Sequence, residues 1–127
     1  MYFYRNGLLT IFANLIDNAI KYARYDAESY IKIGVSKDRV NSNVNQLLFY
    51  IEDNGIGIPQ KNLKLIFDIF QRCEKIMNKN GYGMGLAIVK KVLGSMNCSI
   101  HAESELGEKT TFYFTLPKKN PVTTNKP

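Results

Sequence analysis

The sequence predicts an α+β domain, a two-layer sandwich in which helices cover one face of a mixed β-sheet. Three observations predict it. Two stretches repeat apolar residues at three- and four-residue steps. Two pairs of apolar, β-favouring stretches lie before and after the middle of the chain. Their order is helix, two strands, short helix, loop, helix, two strands.

The first helix is read from GLLTIFANLIDNAIKYA, where Leu8, Phe12, Leu15, Ile16, Ala19 and Ala23 form one stripe. The opening MYFYRNG reads either as a short aromatic strand or as a cut edge. SYIKIGVS alternates as a strand does, VNSNVNQ is a polar connection, and QLLFYIE is a second, more buried strand. Together they predict a hairpin with a long loop. After DNGIGIP, Pro59 fits the first turn of a short helix over QKNLKLIFDIF, because its missing N–H costs nothing there. QRCEKIMNKNGYGMG has no clean period and reads as a loop. In LAIVKKVLGSM, Leu86, Val89, Val92, Leu93 and Met96 share a helix face, with Asn97 as a left-handed cap. SIHAESELGEKTTFYFTLP is two strands about a glycine-containing turn. Residues 1–117 thus form one domain, with a ragged N-terminal edge, and residues 118–127 a disordered tail.

At 127 residues the chain has the length of one domain, and 45% hydrophobic residues place it among globular proteins. No apolar run approaches the roughly 20 residues of a membrane span, and no charged-then-apolar leader opens the chain. Cys73 and Cys98 lack metal-ligand spacing and read as free thiols of a reducing, cytoplasmic setting. Of the net charge of +6, three charges come from Lys118, Lys119 and Lys126 in the tail. The remainder is modest, and no basic stretch is interleaved with stacking aromatics, so a nucleic-acid partner is not expected.

Four groups of residues carry candidate chemistry. Asn14, Asn18 and Lys21 share a face of the first helix. They read as an ordinary solvent face or as a polar wall, with amide oxygens for a hard cation and N–H groups and a lysine for phosphate. Asp53-Asn54-Gly55-Ile56-Gly57 reads as a strand-end turn. It also reads as a site where a carboxylate accepts a hydrogen bond from an exocyclic amine and glycines admit a flat ring, with Ile56 and Ile58 adding apolar contact. Gly81, Gly83 and Gly85 lead from a loop into a helix start, an anion site by geometry but a weak pattern alone. In IFDIFQR, Phe67 and Phe70 are core residues or the anchors of a mobile lid, and Arg72 can reach a phosphate.

Taken in order, NLIDNAIKYA, DNGIGIP, IFDIFQR and GYGMGLAIVKKV resemble the N, G1, F and G2 boxes of the ATP-binding catalytic domain of bacterial sensor histidine kinases. ESELGEKTTFYFTLP resembles the family's last hairpin, so the resemblance runs from about Leu8 to Pro117. It implies the Bergerat-type ATP-binding fold of the wider GHKL superfamily, with ATP and Mg2+ as cofactors. It further implies that Asn18 is a direct magnesium ligand, with Asn14 beside the metal and phosphates. Lys21 and Arg72 would contact phosphates, Tyr22 would lie near the base and ribose, and Asp53 would hold the adenine amine. Gly55 and Gly57 would make room for the nucleoside, and Ile58, Phe70 and Leu86 would line its site. Gly81, Gly83 and Gly85 would form the lid hinge and the phosphate-facing helix start, and Thr110 would lie near adenine.

The implied activity is transfer of the ATP γ-phosphoryl group to a histidine in two-component signalling. Gyrase-type and chaperone relatives carry Glu where this chain has Asn14, and an amide cannot act as a general base. That position argues for phosphoryl transfer over hydrolysis. The sequence departs from the family at Lys109, which replaces a glycine, and in lacking an acidic residue before the first box. The phosphoacceptor helix is also missing, and the only histidine, His101, lies in a strand of the last hairpin. The implied partners are a histidine-bearing dimerisation domain, in cis or in trans, and a downstream response regulator. The chain itself is expected to be cytoplasmic and monomeric, without direct membrane contact, whether or not a parent kinase is membrane-anchored. Rival readings are a protein-serine kinase of the anti-sigma-factor type and a non-catalytic nucleotide-binding scaffold.

Overall fold

The computed structural model describes residues 2–36, 46–68 and 85–118. Helix α1 spans Tyr2–Lys21 and helix α2 spans Gly85–Ser95. Strands β1 (Ile31–Val35), β2 (Gln46–Asp53), β3 (Ile100–Glu105) and β4 (Lys109–Pro117) form one sheet in the order β1-β2-β4-β3. The α+β class and the two-layer plan hold. A mixed sheet was expected, and every adjacent pair among the described residues is antiparallel instead. The reason is topological. The chain passes from β2 through α2 to β3, and β4 then folds back between them, so the strand that returns parallel to β2 never touches it.

Helix α1 starts at Tyr2, so the opening segment is not a strand but the first turns of the helix. Its continuation is compatible with the stripe that follows, because Gly7, Ile11, Leu15 and Asn18 keep the three- and four-residue step on the buried side. Gly7 lies where α1 passes α2: a Cβ there would meet the Val92 side chain at 3.2 Å. Ile11 and Leu15 from α1, and Leu86, Val89 and Leu93 from α2, bury themselves against Ile51, Phe112 and Phe114 of the sheet. Phe12 meets Phe114 edge-on, with ring centroids 5.6 Å apart. No helix among the described residues is long and apolar enough to cross a membrane.

Helix α2 ends as its sequence predicts. Asn97 has φ 60°, the Cys98 N–H donates to Leu93 O at 2.8 Å, and the Asn97 N–H donates to Gly94 O at 3.1 Å. This pair of bonds satisfies carbonyls that the helix end leaves open. It also seats Cys98 in the core beside Leu93. Asn97→Ala is expected to cost about 1 kcal/mol, the penalty of a Cβ in the left-handed region. Asn97→Gly is expected to match or exceed wild type, and urea midpoints of both variants check this.

The segment after β2 departs from expectation. Pro59 precedes a single 3-10 turn, Gln60–Asn62, rather than occupying the first turn of an α-helix. Further turns continue to Phe67, whose ring packs edge-on to Phe112 at 6.2 Å. That supports the core reading of Phe67. Residues 69–84, with Phe70, Arg72, Cys73, Gly81 and Gly83, the connection over residues 37–45 and the expected tail beyond Lys118 lie outside the described residues.

The sheet face away from the helices carries a cross-strand row. His101 stacks on Tyr113 at 5.2 Å, Tyr113 neighbours Tyr50, and the Tyr50 ring leans over Gly34. On the helix side, the row Ile31, Ile33 and Val35 of β1 stays exposed, although the paired positions of β2 are covered.

Candidate functional site

The C-terminal half of α1, the end of β2 and the start of β4 converge on one cleft. It is lined by Asn18, Tyr22, Asp53, Gly57, Ile58, Thr110 and Phe112. Alternation along the strands explains the set. Asp53 follows Phe49 and Ile51 on the core-facing phase of β2, and Thr110 precedes Phe112 and Phe114 on that of β4. Asp53 and Thr110 are register partners, so the sheet presents a carboxylate and a hydroxyl side by side where apolar residues would continue the core. The free space within the cleft is only about 20 Å³, well below the roughly 300–1,000 Å³ of small-molecule sites, so it holds the edge of a ligand and not a whole nucleotide.

Asp53 is 7% exposed. Burial pushes its carboxyl up to about 6 from the usual 3.8; the Gly55 N–H opposes the shift and the Glu52 charge adds to it. The Gly55 N–H donates to Oδ1 at 2.8 Å, which leaves Oδ2 for a ligand. Asn18 is also 7% exposed, and its Nδ2 has no hydrogen-bond partner. An orphaned buried donor costs about 1–3 kcal/mol. The cleft therefore holds an acceptor and a donor of the kinds a polar ligand would satisfy.

The two glycines of the loop pack closely against other elements. A Cβ on Gly55 would run into Tyr22 O, and one on Gly57, at φ 80°, would meet Glu105 O at 2.5 Å. A side chain at either position would run into the protein's own backbone, and Gly57 also lines the cleft. Their absence of side chains lets the loop dock at both ends. The Ile56 N–H donates to Tyr22 O at 3.0 Å, and the Gly107 N–H donates to Ile56 O at 2.7 Å. Asn54 anchors the loop outward: its Oδ1 accepts the Tyr30 N–H and its Nδ2 donates to Glu28 O, both at 2.8 Å.

Other sequence-derived candidates lie around the cleft rather than in it. Asn14 sits one turn before Asn18; its Nδ2 donates to Thr10 O at 2.7 Å, and its Oδ1 abuts Gly85, where a Cβ would stand 2.7 Å away. Lys21 pairs with Asp17 at 3.1 Å on the surface. Leu86 is fully buried in the core and supports α2 without lining the cleft. His101 is exposed on the opposite sheet face, 3.8 Å from Glu103. Among the described residues no group of His, Cys, Asp and Glu is placed to hold a metal ion.

One buried residue escaped the sequence reading. Ser104 accepts the Ile58 N–H at 2.8 Å, donates to Lys109 O at 2.7 Å and lies 2.9 Å from Thr110 Oγ1. A signal for it exists: Ser104 continues the inward phase of Ile100 and Ala102, and a polar residue on that phase needs partners.

Comparison with known proteins agrees with this geometry. Residues 4–120 match the model of the histidine kinase-, DNA gyrase B- and HSP90-like ATPase family. The chain is 43% identical over 110 residues to cyanobacterial phytochrome A of Nostoc sp., covering 87% of this chain and 14% of the relative. It is 37% identical over 112 residues to the sensor protein RprX of Bacteroides fragilis, covering 87% of this chain and 21% of the relative. Against the sensor protein kinase WalK of Staphylococcus haemolyticus it is 38% identical over 109 residues, 84% of this chain and 17% of that one. The chain thus spans only 14% to 21% of these relatives' lengths. Among solved structures, the mycobacterial sensor histidine kinase MprB superposes with a TM-score of 0.68 at 25% identity, over 88% of this chain and 70% of that one. Full-length ShkA in complex with AMPPNP superposes with a TM-score of 0.68 at 25% identity, over 87% of this chain and 21% of that one. The chain belongs to the histidine kinase-, DNA gyrase B- and HSP90-like ATPase family.

Proposed function

We propose that this chain is the ATP-binding catalytic domain of a sensor histidine kinase, binding Mg-ATP for transfer of the γ-phosphoryl group to a histidine on a separate dimerisation domain. The observation that carries the reading is the pairing, in one buried cleft, of an available Asp53 oxygen with the unpartnered amide donor of Asn18. Both groups cost stability as they stand, and a bound nucleotide would satisfy both.

The residues present fit the cofactor. Asp53 Oδ2 would accept the adenine exocyclic amine, with Thr110 beside it and Ile58, Tyr22 and Phe112 against the base. Asn18 has two useful ends: Oδ1 for the cation and Nδ2 as a donor to phosphate oxygen. Asn14, one turn earlier, would join Asn18 as part of the catalytic polar wall, with Lys21 released from Asp17 towards phosphate and Arg72 supplying a second cation. Gly81, Gly83, Gly85 and Phe70 would belong to the segment that closes over the phosphates, and Gly55 and Gly57 would hold the cleft's floor. Mg-ATP, when bound, supplies the transferable phosphoryl group, and the protein contributes positioning and charge neutralisation. Asn14 offers no general base, which favours a protein acceptor over water. His101 lies across the sheet from the cleft, so the acceptor histidine would be on another domain, with a response regulator downstream.

Calorimetric titration with a non-hydrolysable ATP analogue, with and without magnesium, tests the reading. Saturable binding at one site, strengthened by magnesium, is expected; no binding by a folded sample would refute it. Asn18→Leu sharpens the test. Leucine keeps the branched shape, is bulkier and has no orphaned donor, so where the cleft admits its methyl groups the free domain should gain up to about 1–3 kcal/mol. The same variant should lose the magnesium-dependent part of binding.

A further inference from the structure

We infer that Ser104 sets the nucleobase preference of the cleft by fixing the direction of the Thr110 hydroxyl. The inference rests on the nucleotide reading above and adds to it a residue outside the cleft lining.

The hydrogen-bond inventory around Ser104 leaves one consistent arrangement. A serine hydroxyl has one proton and two lone pairs. The proton is required by Lys109 O, 2.7 Å away, because two oxygens at that distance without a proton between them would repel. One lone pair takes the Ile58 N–H at 2.8 Å. The second lone pair then faces Thr110 Oγ1 at 2.9 Å, and Thr110 must be the donor of that bond. Its proton therefore points toward β3.

Thr110 stands between Ser104 and Asp53 in the sheet: Ser104 and Thr110 are register partners on one side, Asp53 and Thr110 on the other. With its proton committed to Ser104, the Thr110 oxygen offers only lone pairs toward the Asp53 side. The cleft edge then carries two acceptors, Asp53 Oδ2 and Thr110 Oγ1. At its 6-position a 6-amino purine brings two N–H donors, one for each of these acceptors, whereas a 6-oxo purine brings an acceptor there, and its N1–H donor lies one ring position away and reaches at most one of the two. Acceptor against acceptor leaves buried polar groups unpaired, the kind of mismatch that discriminates between ligands of equal shape. Without Ser104 the Thr110 hydroxyl is free to turn and donate to a 6-oxo group, which relaxes the preference.

The test is the ratio of affinities for non-hydrolysable ATP and GTP analogues, measured by calorimetry on wild type, Ser104→Ala, Thr110→Val and the double variant. Loss of the Ile58 partner in Ser104→Ala weakens both ligands alike and cancels in the ratio. The expected result is an ATP preference in wild type that falls about tenfold in Ser104→Ala, the scale of one net hydrogen bond. Ser104→Thr, which keeps the hydroxyl, should restore it. Thr110→Val should lower the ratio too, and adding Ser104→Ala to it should change the ratio no further. An unchanged ratio in Ser104→Ala, or a further fall in the double variant, overturns the inference while leaving the site intact. Should Ser104→Ala fail to fold, Thr110→Val retains the branched shape and decides alone: an unaltered ratio there overturns it. Wild type binding neither analogue refutes the nucleotide reading itself.

Discussion

An Asp53→Asn chain is expected to unfold at higher urea concentration than wild type and to bind ATP at least about 100-fold more weakly. Both effects have one origin. The Asp53 carboxyl is pushed up to about 6 from 3.8, chiefly by burial. The folded state therefore holds this proton more tightly than the unfolded chain does. Below pH 3.8 both states are protonated and the group costs nothing. As pH rises from about 4 to 6 the unfolded carboxyl ionises first, and stability falls; above 6 the loss is constant. At neutral pH the cost is on the order of 1–3 kcal/mol. Asparagine removes the charge and still accepts the Gly55 N–H at the Oδ1 position. That same bond forces the new NH2 into the place of Oδ2, so a donor faces the incoming amine. Urea titrations from pH 4 to 8 should show wild type losing stability across the window and Asp53→Asn nearly flat. Parallel wild-type and variant curves would mean Asp53 titrates normally.

Gly57→Ala is expected to cost about 3 kcal/mol or more and to abolish nucleotide binding with it. Two causes add. A φ of 80° places alanine in the left-handed region, worth about 1–2 kcal/mol. The new Cβ also runs into Glu105 O and Leu106 Cα, at 2.5 and 2.8 Å, and these are backbone atoms that cannot swing aside. Gly57→Asn separates the causes, because asparagine tolerates a left-handed φ while its Cβ still collides. Both variants should show a lower urea midpoint with an unchanged slope. Wild-type behaviour of Gly57→Asn would show that only the dihedral matters.

Much of the fold is legible from residue spacing. The buried face of α2, the Asn97 cap and both hairpins follow from periods of 3.6 and 2 and from residues that favour turns. Other features depend on what lies far away in sequence. Tyr2, Phe3 and Tyr4 have aromatic β-preference, and only the helix running on from Arg5 decides their backbone. The antiparallel sheet depends on β4 inserting beside β2, a choice that no local pattern encodes. At the site, the acid before a glycine pair pointed to Asp53, and helical spacing pointed to Asn18. The close packing around the glycines was not visible in the sequence because their neighbours, Tyr22 O and Glu105 O, belong to other elements. Ser104 was missed because one serine in a strand carries no motif; its meaning comes from the Ile58, Lys109 and Thr110 groups around it.

The peptide on either side of Ile56 has a mechanical consequence. Its N–H holds the carbonyl at the exit of α1, and its C=O holds the β3–β4 turn through Gly107. Arg24, just past α1, grips the Gly107 carbonyl from the other direction, across 83 residues of sequence. The helix exit and that turn are thereby one strut with Ile56 as its crosspiece. A force applied to the end of α1 would travel along this strut to the rim of the cleft.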